Sequence, residues 1–160
     1  MMPITTMINK GLLPVIAVLL LFGAAFGPVN NSSEPRTIEI VGSDHMKFDV
    51  TSIDAAPGEE IRIVLTTESN LPKMAMAHNV VVLDDETDIQ KFVSASAKAR
   101  DNQYIADGFE DQIIAATDLA GGGETVEVTF TAPEEPGTYE YICSFPGHYA
   151  SGMKGVLNVE

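Results

Sequence analysis

The run Tyr-Glu-Tyr-Ile-Cys-Ser-Phe-Pro-Gly-His-Tyr-Ala-Ser-Gly-Met, at residues 139–153, carries the most structural information in the chain. Tyr139 and Tyr141 precede Cys143 at steps of two, which is the side-chain period of a β-strand. A strand here would therefore direct both tyrosines and the cysteine inward. The Pro146-Gly147 pair that follows predicts a tight turn, because proline fixes φ and glycine accepts a positive φ. The stretch thus predicts a strand that ends in a sharply folded loop.

The same period of two recurs along the chain from Thr37 onward, in short β-branched runs separated by turn residues. Residues 80–83 are instead continuously apolar, as expected for a strand that is covered on both faces. The alternating runs fall at residues 37–40, 61–66, 125–130 and 155–159. This pattern predicts an all-β sandwich.

One segment, residues 88–106, departs from the strand pattern. It is rich in Ala, Lys, Gln and Asp, and its larger apolar residues are spaced partly as on a helix. We interpret it as a helical flap inserted between strands.

Composition excludes one class of function. The 160-residue chain carries 23 acidic and 9 basic residues, for a net charge of −14. Because nucleic-acid affinity depends largely on Lys and Arg that neutralise phosphates, no nucleic-acid partner is expected. The charge is compatible with a basic partner protein, with a saline habitat or simply with solubility.

The amino terminus is typical of an export signal. Lys10 precedes an uncharged apolar run at residues 11–26, which ends in small residues. Residues 1–27 are therefore predicted to be a signal peptide, cleaved after Ala25, or a retained membrane anchor. Residues 28–35 are predicted to be a linker and residues 36–160 the folded domain. The protein is expected to be exported, to the periplasm or the outer face of the cytoplasmic membrane.

Four side chains form a candidate metal site. Cys143, His148 and Met153 follow one another at intervals of five residues around the predicted turn, and His78 lies far upstream. Two imidazoles, a thiolate and a thioether form the donor set of blue-copper electron-transfer sites. Soft sulfur suits Cu(I), whereas imidazole accepts both Cu(I) and Cu(II), so the set favours a single copper ion that changes oxidation state. Zinc could occupy the same donors, although copper binds such donors more strongly.

With these motifs, the chain resembles the blue-copper cupredoxins, in particular those of the azurin and auracyanin type. The resemblance covers nearly everything after the linker. It is carried by five stretches, namely residues 46–49, 70–73, 76–79, 120–124 and 143–155. It implies a Greek-key β-sandwich with copper at one end. It also implies a one-electron carrier in a respiratory or photosynthetic chain, whose partners are cytochromes or membrane electron-transfer complexes.

The resemblance also implies roles for residues next to the ligands. Asn79 is expected to hold the ligand loops together near Cys143. Phe145 is expected to lie beside the metal. Ala77 stands where azurins have a glycine whose carbonyl approaches copper, a departure that puts a fifth ligand in question. The disulfide of the azurins is absent, since Cys143 is the single cysteine in the chain.

Partners are expected to dock near His148. We interpret the apolar residues of the copper end as an exposed patch around that histidine, formed by Leu71, Met74, Met76, Phe145, Pro146 and Ala150. His45, which has no companion at ligand spacing, is interpreted as a surface histidine.

Other functions have weaker support in the sequence. A copper oxidase or reductase would need further histidines, and the chain has three in total. No residue is evident that would orient a catalytic Cys–His pair. A copper chaperone would favour an exposed, exchangeable site rich in Met or Cys. The protein is therefore not expected to be an enzyme.

Overall fold

Two mixed β-sheets form the framework of residues 34–160, the part of the chain that the computed structural model describes. The first sheet contains, in spatial order, β2 (Lys47–Phe48), β1 (Arg36–Ser43), β4 (Glu60–Glu68) and β9 (Thr125–Thr131). The second contains β3 (Ser52–Ala55), β11 (Lys154–Val159), β10 (Gly137–Ile142), β6 (Val81–Leu83) and β7 (Ile113–Ala116). A separate pair joins β5 (Ala77–His78) to β8 (Ala120–Gly121). The predicted all-β fold is confirmed.

The main core lies between the two sheets, and alternation along the strands supplies it. In β4 the residues Ile61, Ile63 and Leu65 are buried while their neighbours are more exposed. Tyr139 and Tyr141 of β10 are buried on the opposite sheet. The two sets belong to one apolar cluster, so the period of two predicted from the sequence is what builds the sandwich.

The register between β6 and β10 determines which residues lie opposite one another at the end of these strands. The two strands are antiparallel, with Val82 opposite Tyr141 and Val81 opposite Ile142. Continuing this register by two residues brings Asn79 opposite Ser144, just beyond the end of β10. The chain around His78 therefore meets the loop that follows Cys143.

The predicted helical flap is confirmed, with its α-helix confined to the first part of the segment. Helix α1 covers Ile89–Ser96, and Asp88 caps it by accepting a hydrogen bond from the Lys91 backbone N–H. Beyond it there are turns and the 3₁₀ turns Arg100–Asn102 and Glu110–Gln112. Gln103 and Tyr104 have φ values of 53° and 62°, a left-handed conformation in which an α-helix cannot continue.

The predicted export segment, residues 1–27, lies outside the described residues, as does most of the predicted linker, residues 28–35. Between residues 34 and 160, no helix has the length and hydrophobicity needed to cross a membrane.

Candidate metal centre

The loop from Cys143 to Met153 is closed by its own backbone. The N–H of Cys143 donates to the carbonyl of Met153 over 3.1 Å, which fixes the two ends of the loop beside each other. Inside it, the N–H of His148 donates to the carbonyl of Phe145 over 3.1 Å, and Gly147 has φ of +86°. These are the features of a type II turn with proline and glycine at its centre, as the sequence predicted.

Three donor atoms converge at this end of the sandwich. Nδ1 of His78 lies 3.2 Å from Nδ1 of His148, and Sγ of Cys143 lies 3.4 Å from the latter and 3.9 Å from the former. A point equidistant from the three atoms lies about 2 Å from each, close to the metal–nitrogen and metal–sulfur lengths of about 2.0–2.3 Å in protein sites. The three side chains therefore fit one metal ion.

Burial sets the protonation of these donors. It lowers the pKa of both His78 and His148 to about 4, and the neighbouring His78 contributes to the effect on His148. The Ser43 backbone raises the pKa of His78, but its effect is smaller than that of burial. By distance and angle, Nε2 of His78 has no hydrogen-bond partner. Burial also raises the pKa of Cys143 to about 12. At neutral pH the metal-free site thus offers two neutral imidazoles and a thiol, which a metal ion would convert to thiolate with release of a proton.

Backbone N–H groups act on the sulfur. Those of Asn79 and Phe145 both favour the thiolate and lower the pKa of Cys143, against the larger effect of burial. Hydrogen bonds of this kind withdraw electron density from a metal-bound sulfur. Both halves of the site therefore favour the thiolate form of Cys143.

Asn79 joins the two halves, as the resemblance implied. Its side-chain Oδ1 accepts a hydrogen bond from the Ser144 N–H, and its Nδ2 donates to Ser144 Oγ, each over 2.9 Å. Nδ2 also lies 3.4 Å from the carbonyl oxygen of Gln103 in the flap. Asn79 and Ser144 are both fully buried, so these bonds are shielded from water.

Met153 lies at the same end of the molecule. It is fully buried, and it is found beside Gly42, where an added Cβ would come 3.0 Å from the Met153 terminal methyl and 2.7 Å from the His78 ring. A glycine in this strand therefore leaves room for two predicted ligands to approach the backbone.

The remaining two predicted neighbours are also near the site. The Phe145 ring lies 4.7 Å from the His148 ring and 4.9 Å from that of Tyr104 in the flap. Ala77 is fully buried in β5 and pairs with Gly121 of β8. His45 is exposed, as expected.

The predicted apolar patch is smaller than the sequence suggested. Leu71 and Met74 are exposed by 47% and 73%, and Pro146 and Ala150 are also exposed. The exposure predicted for Met76 and Phe145 is wrong, because they are exposed by 8% and 7% and pack into the protein.

Sequence reasoning missed Gly42 and Ser144. Gly42 gave one usable signal, since an isolated glycine inside a strand pattern often marks a close backbone approach. Ser144 gave none, because its contact with Asn79 depends on the β6–β10 register.

Comparison with known proteins agrees with this geometry. Residues 37–160 match the family of copper-binding proteins described as the plastocyanin/azurin family. The chain is 37% identical to azurin of Alcaligenes faecalis over 125 residues, or 76% of this chain and 96% of that protein. It is 33% identical to auracyanin-B of Chloroflexus aurantiacus over 133 residues, 82% of this chain but 55% of the relative's length.

The solved structure of a relative also supports membership of this family. Auracyanin A of Chloroflexus aurantiacus, described as a "blue" copper protein, superposes with a TM-score of 0.70 and 36% identity. The superposition covers 79% of this chain and 100% of that one. With the converging His78, Cys143 and His148 side chains, these similarities establish that the chain belongs to the plastocyanin/azurin family of copper-binding proteins.

Proposed function

We propose that the protein is a type 1 blue-copper electron carrier, in which His78, Cys143, His148 and Met153 hold one copper ion per chain. The observation that carries the proposal is the convergence of two imidazoles and one thiol, all within 4.8 Å of one another and all buried. Further support comes from the buried thioether of Met153, which ends the same loop. This donor set is the one that blue-copper sites use.

Bound copper would supply one-electron redox chemistry between the Cu(II) and Cu(I) states, so that the protein could accept an electron from a reduced partner and pass it to an oxidised one. The residues of the chain hold and shield the site. His78, Cys143 and Met153 are fully buried and His148 is exposed by 2%, so little water can reach the donors. The bonds between Asn79 and Ser144 keep the two halves of the site in place, which limits rearrangement when the charge changes.

Electron donors and acceptors are proposed to dock over His148. The loop around it is exposed at Pro146, Gly147 and Ala150, and Met74 adds an exposed apolar side chain. A small apolar surface suits brief contacts between redox proteins. Cytochromes or membrane electron-transfer complexes are the proposed partners.

The absorption and electron paramagnetic resonance spectra of the Cu(II) protein test this function. We expect an intense visible band from thiolate-to-copper charge transfer, which disappears in Cys143→Ser. His78→Ala should also lose the band, because one of the converging donors is removed. His45→Ala is the matched control, since it removes an exposed histidine outside the cluster, and it should keep the wild-type spectrum. A wild-type protein without the band would refute the proposal.

The proposal is that the protein carries electrons and is not an enzyme. The site would use His78 and His148, and the third histidine of the sequence, His45, is exposed. Turnover of oxygen or nitrite by the copper-loaded protein would instead favour an oxidase or reductase. Rapid loss of copper to a metal-free acceptor would favour a copper chaperone; slow loss is expected from donors this deeply buried.

Export is likewise proposed. Residues 1–27 would direct the chain across the cytoplasmic membrane, and residues 36–160 would act in the periplasm or at the outer face of that membrane. Amino-terminal sequencing of the mature protein tests this. A start at Phe26 would indicate cleavage after Ala25, an intact terminus in the membrane fraction would indicate an anchor, and recovery from the cytoplasm would contradict export.

A further inference from the structure

Lys47 contacts the outer side of the loop from Cys143 to Met153. It is an exposed residue of β2, and its Nζ donates to the carbonyl oxygen of Ser151 over 2.5 Å and to that of Gly152 over 3.3 Å. These are the two residues that precede Met153. Among the other basic side chains of residues 34–160, Arg36, Lys73, Lys91 and Lys154 pair with carboxylates, and Arg62 donates to the Thr37 hydroxyl.

The loop is shaped to receive this lysine. Gly152 has φ of +86°, and a Cβ added there would come 2.5 Å from Lys47 Nζ. The glycine thus permits both the backbone conformation and the approach of the ammonium group. The N–H groups of Ser151, Gly152 and Met153 all donate back into the loop, whereas the carbonyls of Ser151 and Gly152 accept from Lys47.

The backbone that carries Lys47 is packed against the core. The next residue, Phe48, is exposed by only 4%, and its ring lies 5.8 Å from that of Tyr141. Phe48 also pairs with Gly42, the glycine that lies against His78 and Met153. The lysine therefore connects a fixed point of the core to the loop backbone directly before Met153.

We propose that Lys47 is a positioning residue for Met153, which holds the thioether at the copper site by tethering the loop that carries it. The inference rests on the proposed function, because it takes Met153 as a ligand. In blue-copper sites the bond between copper and the methionine sulfur is weak and long, so such a bond would not by itself fix the loop. The tether would then act together with the backbone bonds of Met153 to place the sulfur, and a thioether ligand at this position tunes the reduction potential in blue-copper sites.

Four variants of the full-length, copper-loaded protein test the tether: Lys47→Met, Lys47→Gln, Lys47→Arg and Lys154→Met. Lys154→Met is the matched control, because it also removes one positive charge beside Met153, but its Nζ contacts the Glu140 side chain and the face of the Tyr149 ring and makes no hydrogen bond to the loop backbone. The measurements are the copper hyperfine splitting in electron paramagnetic resonance, the ratio of the visible bands and the reduction potential. Amide hydrogen exchange at Gly152 and Met153 in the copper-free protein gives a readout that does not depend on the metal.

We expect Lys47→Met and Lys47→Gln to change the hyperfine splitting and the band ratio, to lower the potential and to speed amide exchange several-fold. Methionine has no donor, and glutamine is too short to reach both carbonyls. Lys47→Arg should restore all four readouts towards wild type. Lys154→Met should lower the potential through its charge alone and leave the spectra and amide exchange unchanged.

The inference is overturned if Lys47→Met and Lys47→Gln give wild-type spectra and exchange, or change them no more than Lys154→Met does. Should Lys47→Met fail to fold, Lys47→Gln, a milder change at an exposed position, decides the result. A blue wild-type protein with unaffected Lys47 variants would contradict the tether alone. A wild-type protein without the blue band would contradict the proposed function, and the tether with it.

Discussion

At the scale of single residues, Asn79 connects the segment around His78 to the loop that begins at Cys143. Its side-chain amide makes two bonds of 2.9 Å with Ser144, which lies between Cys143 and Phe145. The amide does not bond the sulfur; the backbone N–H groups of Asn79 and Phe145 act on it instead. We therefore expect Asn79 to act on bound copper through the placement of the Ser144–Phe145 backbone.

Asn79→Leu should lower the reduction potential while copper is retained. Without the amide, the segment around Ser144 loosens and the Phe145 N–H donates less effectively to the sulfur, which then keeps more electron density. The Ser144 N–H also loses its partner in a buried place, which should cost about 1–3 kcal/mol of stability. Voltammetry and thermal unfolding measure the two effects.

Asn158→Leu is a suitable control, because Asn158 bonds Ser52 and Asp54 in the β3–β11 pair, away from the ligand loop. It should leave the potential unchanged. An Asn79→Leu protein with the wild-type potential would show that the bridge has no electronic consequence.

The flap is the element in which sequence and structure differ most. Its first part forms α1 because Asp88 caps it and Phe92 is buried on its inner face. Phe92 packs with Val81, Leu83 and Ile142 in an apolar cluster distinct from the main core. The later part is held by specific contacts, such as the bond from the Leu119 N–H to the Gln103 side chain over 2.7 Å. Helical periodicity could not predict these contacts, since they depend on residues from another part of the chain.

Phe92→Ala should reduce the free energy of unfolding by about 3–5 kcal/mol, because it leaves a cavity at a fully buried position. The visible spectrum should survive, since the cluster around Phe92 does not include the predicted ligands. Denaturant unfolding and absorption of the same sample measure both effects.

Phe109→Ala offers a graded comparison. This ring packs edge-on against Phe92 at 5.3 Å but is only partly buried, so its loss should be smaller. An equal loss in the two variants, or bleaching of the copper band by Phe92→Ala, would mean that the flap and the metal site are not separable.

At the scale of the whole molecule, we expect the net charge and the exposed surface around His148 to set the rate at which two copies of the protein meet and exchange electrons. The net charge of −14 makes two copies repel each other. Electron self-exchange between the Cu(I) and Cu(II) forms should therefore become faster as ionic strength rises, because salt screens the repulsion.

Ala150→Glu should slow self-exchange and leave the visible spectrum intact, because it adds a charge to the exposed loop beside His148 but touches no predicted ligand. Line broadening in nuclear magnetic resonance of mixed oxidation states measures the rate. Ala56→Glu is the control, because it adds the same charge in the turn after β3. The last residue of β3 pairs with Val159, which lies at the end of β11 remote from Met153. Equal slowing by both variants would indicate that net charge matters and the proposed docking surface does not.

Much of the fold and the candidate site could be predicted from the sequence. The strands followed from their period of two, and the loop from Pro146-Gly147, because both are local properties of the backbone. The donor set followed from residue types. The exposure of Met76 and Phe145 was predicted wrongly, because apolar residues at a protein's end are exposed or buried according to what packs over them; Phe145, for example, lies against Tyr104 of the flap.

The chemistry of the donors was determined by the sequence alone, since an imidazole, a thiol and a thioether keep their metal preferences wherever they lie. The convergence of these side chains on one point was decided by the tertiary structure. The β6–β10 register carries His78 and Asn79 to the end of β10, where Cys143 follows, and Gly42 and Lys47 arrive from the opposite sheet. Such contacts join residues far apart in the chain, and they arise only when both sheets close over one core.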